Sequence, residues 1–195
     1  MRLIESIKYR ISKFIFPLVR PRMMGIKRNF QGFKVSNTSI GNTTFIDFPE
    51  RLTISNNTYI GHHNFIEASQ GIEIQEGCQI TDFVSITTHS SHVSIRLYGR
   101  HFNNYKDHIG YVKGPISIGK FSFIGPHSVI MPNTNIGKGS IVSAYSYVKG
   151  DFPDFSIIAG NPAVVIGDTR ELDEKYLSNH PELLTYYQEW AKVKQ

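Results

Sequence analysis

Residues 118–148 read IGKFSFIGPHSVIMPNTNIGKGSIVSAYSYV, and a branched apolar residue returns at every sixth position: Ile118, Ile124, Ile130, Ile136, Val142 and Val148. A helix repeats at 3.6 residues and a half-buried strand at two, so a six-residue phase belongs to neither. Four residues after five of these anchors stands a small residue (Ser122, Ser128, Thr134, Ser140, Ser146), and glycine directly follows three of them (Gly119, Gly125, Gly137). The phase recurs upstream at Ile40 and Ile46, at Ile54, Ile60, Ile66 and Ile72, and at Ile74, Ile80 and Ile86. Two slips, Leu52 to Ile54 and Ile72 to Ile74, each add two residues at a corner, so Ile40, Ile60 and Ile80 recur at spacings of twenty. Three hexapeptides then make one coil. Each anchor stacks on its equivalent in the next coil, and units too small to fold alone bury a continuous core. The pattern predicts an all-β solenoid, a parallel β-helix over residues 36–166. Its inward residues are branched and its corners small, and the residue after each anchor turns tightly, which glycine does without steric cost.

Composition bounds the rest. At 195 residues the chain is one domain with appendages, long enough to bury a core. Its single cysteine, Cys78, lies inside a repeat and excludes an intrachain disulfide, which fits a reducing compartment. No apolar stretch reaches the ~20 residues of a membrane-spanning helix, and the first residues lack the uninterrupted apolar core of a cleavable signal, so the expected location is the cytoplasm. The net charge of +5 is uneven: residues 1–30 hold eight Lys/Arg against Glu5 alone, while the remainder holds 13 basic and 15 acidic residues. The basic balance therefore belongs to the N-terminus, and no nucleic-acid surface is expected on the main body.

Residues 1–30 form a basic amphipathic segment. Leu3, Ile4, Ile7, Ile11, Phe14, Ile15 and Leu18 share one helical face, opposite Arg2, Lys8, Arg10 and Lys13. Two roles fit it, a helix that caps the open end of the solenoid or packs against a neighbouring subunit, and peripheral contact of residues 1–20 with an anionic membrane at the inner face of the cell membrane. The repeats stop after Ile166. Residues 167–195 read as a helical tail, started by polar caps at Asp168–Glu171 and divided by Pro181 into two short helices that fold back on the coil.

The chemistry concentrates where the register breaks. The phase is lost after Ile86 and resumes at Ile118, so residues 87–117 form one long external loop, a length that is usually functional or disordered. The loop opens Thr87-Thr88-His89-Ser90-Ser91-His92 and adds Arg96, Tyr98, Arg100, His101, Phe102, Tyr105, Lys106 and His108, groups suited to a polar ligand such as a sugar. His89 stands where the last regular coil ends, on a rigid scaffold, and can take a proton from a hydroxyl that attacks a thioester. His92 competes for that role or contacts substrate, as Arg96 and Tyr98 would. His62 and His63, with His89 and His92, leave open a zinc site like that of a γ-class carbonic anhydrase, although no spacing is a zinc signature and adjacent His62 and His63 should point apart.

The repeats Ile118-Gly119-Lys120-Phe121-Ser122-Phe123-Ile124-Gly125 and Ile136-Gly137-Lys138-Gly139-Ser140, with the ending Ile158-Ala159-Gly160-Asn161-Pro162-Ala163, resemble those of the hexapeptide-repeat acyltransferases. These include galactoside and maltose O-acetyltransferases, streptogramin acetyltransferases and O-acetyltransferases of capsule and O-antigen clusters. The resemblance implies a left-handed coil and a homotrimer, with acetyl-CoA in a groove between coils and a sugar or glycan acceptor at the subunit interface. It implies His89 as the catalytic base, no metal, and a cofactor groove including Phe123, Gly125 and Ala144. Pro126 stands where a backbone amide often donates to the cofactor, and Val164 and Gly167 where relatives carry basic residues; Lys149 or Lys138 would then meet the CoA phosphates. The implied activity is acetyl transfer to a sugar hydroxyl of a bacterial surface polysaccharide or its precursor. An antibiotic hydroxyl or a nucleotide-sugar amine remains an alternative acceptor, and a non-catalytic scaffold the alternative from another class.

Overall fold

A computed structural model describes residues 7–13 and 20–192. Three parallel sheets form the sides of a coiled prism. The first runs through Lys34–Gly41, Tyr59–Ile60, Gln79–Ile80, Phe123–Ile124, Ile141–Val142 and Ser156–Gly160, the second through Phe45–Asp47, Phe65–Glu67, Ser85–Thr87, Val129–Ile130 and Tyr147–Val148. The third contains Leu52–Ile54, Ile72–Ile74, Ile116–Ile118, Thr134–Ile136 and Asp151–Phe152. The expected anchors stack in register: Ile40 on Ile60, Ile60 on Ile80, Ile80 on Ile124, Ile124 on Val142 and Val142 on Ile158. Ile46, Ile66, Ile86, Ile130 and Val148 do the same along the second sheet. The core is this ladder of buried Ile, Leu and Val side chains, with Ile46 partly buried against it.

The glycines after the anchors have a different cause from the expected one. Gly41, Gly61, Gly119, Gly125 and Gly137 are not among the positive-φ residues; a Cβ at Gly119 would lie 2.5 Å from the Lys138 nitrogen, and one at Gly125 2.6 Å from the Ala144 nitrogen. They are glycine because the next coil fills the space. The left-handed corner conformation falls two residues later, on His63, Phe83, His127 and Tyr145, with φ of 57–62°. The small hydroxyls close the corners: Ser122 Oγ donates to the Gly137 carbonyl at 3.0 Å while accepting from the Ser140 amide at 3.2 Å, and Ser128 repeats this with Ser143 and Ser146.

Both ends of the first sheet are capped by antiparallel strands, Met23–Arg28 and Ala163–Asp168. Residues 23–28 thus belong to the solenoid's cap rather than to the basic amphipathic segment 1–30. At the same end the Gln31 amide donates to the Glu50 and Leu52 carbonyls, satisfying an open strand edge. Residues 7–13 are helical and exposed, while Leu3, Ile4, Phe14, Ile15 and Leu18 of the expected helical face lie outside the described residues. Among the described residues no helix is long and apolar enough to cross a membrane.

The coil resumes at Ile116, which pairs with Ile72 and is buried like it, so the loop ends two residues earlier than the phase suggested. The tail forms helices Thr169–Leu177 and Leu184–Ala191, with Pro181 opening the short turn between them. Trp190 packs on the rings of Phe121 and Phe155. Lys138 Nζ donates to the carbonyls of Trp190, Ala191 and Lys192 at 3.3, 3.4 and 2.9 Å, a cation at a helix C-terminus.

Because backbone cannot yield as a side-chain tip can, Gly119→Ala should destabilise the fold by about 1–3 kcal/mol in urea unfolding. Gly25→Ala, with no atom within 4 Å of the added Cβ, should change stability by less than about 0.5 kcal/mol. Equal effects would mean that coil spacing does not select glycine.

Candidate active site

The strand Phe65–Glu67 runs directly below Ser85–Thr87, with Glu67 in register with Thr87. The chain then turns from Thr87 into the external loop, so His89 comes back over the Glu67 carboxylate, and His89 Nδ1 lies 2.8 Å from Glu67 Oε2. Glu67 is 3% exposed. A buried carboxylate survives only if its lone pairs are used. Ser69 N donates to Oε1 at 2.8 Å, and Thr88 donates to Oε2 through its amide at 3.0 Å and its hydroxyl at 2.8 Å. Burial pushes the Glu67 pKa up, but the hydrogen bonds from Ser69 and Thr88 outweigh it and hold the group down at about 2. Glu67 is therefore an acceptor at neutral pH and His89 Nδ1 must be the donor, which in the neutral imidazole leaves Nε2 as the nitrogen without a proton.

The second wall comes from the far end of the loop. His89–Ser90 pairs antiparallel with Val112–Lys113, and Tyr111 stacks on the His89 ring at 5.7 Å and 9°. Burial, then the Glu67 charge, raises the Tyr111 pKa, so its hydroxyl stays protonated. The imidazole is fixed on one edge by a carboxylate and on one face by a phenol ring, yet its side chain remains 38% exposed. That is the geometry of a general base: oriented, in one tautomer, and open to a ligand.

The other expected site residues are placed differently. His92 is exposed and pairs with Ser90 Oγ at 2.8 Å, with no carboxylate partner. Arg96 turns back onto the His92 carbonyl, and the Tyr98 hydroxyl accepts from the Ile109 amide at 3.0 Å while its ring packs on Tyr105 and His108. These two groups tie the loop to itself. Phe123 is partly exposed on the outer face of the first sheet, and Gly125 and Ala144 follow at the corner between the first and second sheets. The Gly125 amide is already used, donating to the Val142 carbonyl at 2.8 Å. Lys149 is exposed at the next corner. His62 pairs with Thr43 and His63 stacks on Phe83; among the described residues no three His, Cys, Asp or Glu side chains converge.

Sequence reasoning missed Glu67 and Tyr111. The coil spacing of twenty carries the signal for the first, since residue 67 plus one coil falls on Thr87, next to the candidate base. Tyr111 gave none, because a two-residue ribbon has no periodicity.

Residues 115–150 match the family model described as bacterial transferase hexapeptide (six repeats). A putative acetyltransferase of Saccharomyces cerevisiae is 30% identical over 148 residues, 75% of this chain and 70% of that one. The chain belongs to the hexapeptide-repeat acetyltransferase family. The galactoside O-acetyltransferase of Escherichia coli is 27% identical over 146 residues, covering 71% of this chain and 67% of that protein. Other curated relatives match at 42% identity over 65 residues, and the chain spans 33% of their length. Among solved structures, a point mutant of the Bacillus cereus N-acyltransferase AntD, in complex with dTDP and coenzyme A, superposes with a TM-score of 0.53 at 26% identity, covering 74% of this chain and 91% of that one.

Folding lowers the Glu67 pKa from the ordinary 4.5 to about 2, so between those values the unfolded chain binds the extra proton. The stability this carboxylate contributes is complete above 4.5 and is lost as pH falls towards 2. The difference in Tm between the protein and Glu67→Gln should therefore be widest at neutral pH and shrink on acidification through that window. A difference constant with pH would show that folding does not hold Glu67 ionised.

Proposed function

We propose that this chain transfers an acetyl group from acetyl-CoA to a sugar hydroxyl of a bacterial surface polysaccharide or its precursor, with His89 as general base. The observation that carries the reading is the His89–Glu67 pair: a buried, ionised carboxylate on Nδ1 of an imidazole that stays partly exposed. His89 Nε2 takes the proton of the acceptor hydroxyl as its oxygen attacks the thioester carbonyl. The tetrahedral intermediate collapses by breaking the C–S bond, and the imidazolium returns the proton to the departing CoA thiolate. Glu67 stays ionised throughout, holding the ring and stabilising its cationic form.

Transfer is direct. Cys78, the one thiol, is fully buried, and burial pushes its pKa up to about 11, so it offers no thiolate for an acyl-enzyme. Likeness to the galactoside enzyme supports a hydroxyl acceptor. Likeness to AntD favours a second reading, acylation of an amino sugar carried on a nucleotide, and product mass against paired hydroxyl and amino acceptors separates the two.

Assembly as a homotrimer is supported by the faces the coil leaves bare. The third sheet points Thr53, Glu73, Asn135 and Asp151 outward, whereas the second points Phe45 and Phe65, 57% and 44% exposed. The corner between the first and second sheets carries a stacked ladder, His63–Phe83–His127–Tyr145, with centroids 5.0, 4.9 and 4.8 Å apart. Exposed apolar surface of this extent marks an interface, and Phe123, Gly125 and Ala144 lie beside it, where a neighbouring coil would complete the acetyl-CoA groove.

His89→Ala should lower kcat for thiol release from acetyl-CoA by about 10²–10⁴-fold. Near wild-type turnover in that variant, with loss in His92→Ala, would move the base to His92. Phe83→Asp should convert a species of three 22.2 kDa chains into monomer in sedimentation velocity, with loss of acetyl-CoA binding; an unchanged trimer would place the interface elsewhere.

A further inference from the structure

The external loop carries charge of mostly one sign. Between Thr88 and Pro115, Arg96, Arg100, Lys106 and Lys113 stand against Asp107 alone. Lys113 has the most constrained place. It is the direct cross-strand partner of His89, and the ribbon is pinned by the Gly114 amide on the Thr88 carbonyl at 3.0 Å and by Asn133 Nδ2 on the Lys113 carbonyl at 3.1 Å. Cross-strand partners project to the same side of a ribbon, with Cβ atoms about 4.5–5.5 Å apart. The Lys113 side chain thus leaves the ribbon on the same side as His89.

Lys113 also borders a cavity of about 530 Å³ under the loop, within the ~300–1,000 Å³ range of small-molecule sites. Its walls are of two kinds. Phe102, His108 and Tyr111 supply rings, with Phe102 and His108 stacked at 3.9 Å, and Tyr111 is the same ring that packs on His89. Lys106 and Lys113 supply cations, and neither makes an ion pair among the described residues. Gln70 and Asp107 complete the lining. Glu67, the nearby anion, is turned towards Ser69, Thr88 and His89 and makes no ion pair with either lysine.

Rings beside unpaired cations suit a ligand with C–H faces and a negative charge. We propose that this cavity is the acceptor subsite and that it selects an anionic saccharide, a uronate or a sugar phosphate, with Lys113 placing the charged group next to the hydroxyl that His89 deprotonates. The proposal rests on the reading of His89 as base towards a sugar. The shared chemistry is an anion on a pyranose, and the carboxylate and phosphate forms are separate arms of the test.

The test measures equilibrium binding to the full-length protein by calorimetry, with three probes: methyl β-galactopyranoside, methyl β-galactopyranosiduronate and galactose 1-phosphate. At least one anionic probe should bind about tenfold or more tightly than the neutral one, and Lys113→Gln should remove about tenfold of that preference, the scale of one charge-assisted hydrogen bond. Arg100→Gln, a loop cation outside the cavity, should leave the preference intact and controls for net charge. The stronger of the two anionic arms names the group. Equal affinity for neutral and anionic probes, no binding of any probe, or an equal loss in both variants overturns the proposal. Thiol release from acetyl-CoA is followed separately: selective anion binding without turnover on any probe would retain the subsite and count against the transferase reading.

Discussion

The rest of the structure depends on the register between successive coils. Each residue on a side of the prism pairs with its equivalent one coil away, so a group on the surface is fixed relative to whatever the chain placed about twenty residues earlier. Glu67 and His89 meet for this reason. Ile66 lies on Ile86 and Glu67 on Thr87, and two further residues of chain carry the imidazole back over the carboxylate. Any slip in the stacking would separate them, so the packing of isoleucines in the core and the orientation of the base on the rim are one constraint.

Register also sets where side chains can be large. Below the next coil there is no room for a Cβ at Gly119 or Gly125, while two residues later the corner opens outward and accepts Phe, His or Tyr in a left-handed conformation. That conformation costs roughly 1–2 kcal/mol for a residue with a Cβ, and its repetition at His63, Phe83, His127 and Tyr145 needs compensation. Stacking supplies part of it: rings 4.8–5.0 Å apart and nearly parallel are brought together by the same coil spacing. The remainder falls to the corner hydroxyls, which satisfy backbone groups that the turns would leave buried.

The six-residue phase was legible because inward positions tolerate only branched apolar side chains, and every anchor read from it except the partly buried Ile46 is buried in the ladder. The break after Ile86 was equally plain, since an interrupted repeat shows where the chain leaves the coil. What lay beyond the pattern was of two kinds. Glu67 follows an anchor directly, where the phase calls for a tightly turning residue and so gives no sign of a buried carboxylate; its burial comes with the hydrogen bonds from Thr88 and Ser69. Within the loop, Arg96 and Tyr98 have the composition of ligand contacts but make internal ones, because a 28-residue excursion must first satisfy its own backbone. The same need brings Tyr111 and Lys113 to His89 through a ribbon too short to leave a trace in the sequence.

A carboxylate as buried as Glu67 is a poor way to stabilise a fold. Placing an ion out of water costs several kcal/mol unless its oxygens are fully used, and an apolar residue at this buried position would avoid that cost. Three donors from Ser69 and Thr88 offset the cost for the carboxylate alone; the fourth, His89 Nδ1, adds little to the fold that water could not supply, because the imidazole stays open to solvent. The arrangement does what stability does not require: it fixes which nitrogen of His89 is basic and where that nitrogen points. The rigid coil bears the cost of a buried charge, and the loop it holds in place carries the ring that the charge orients.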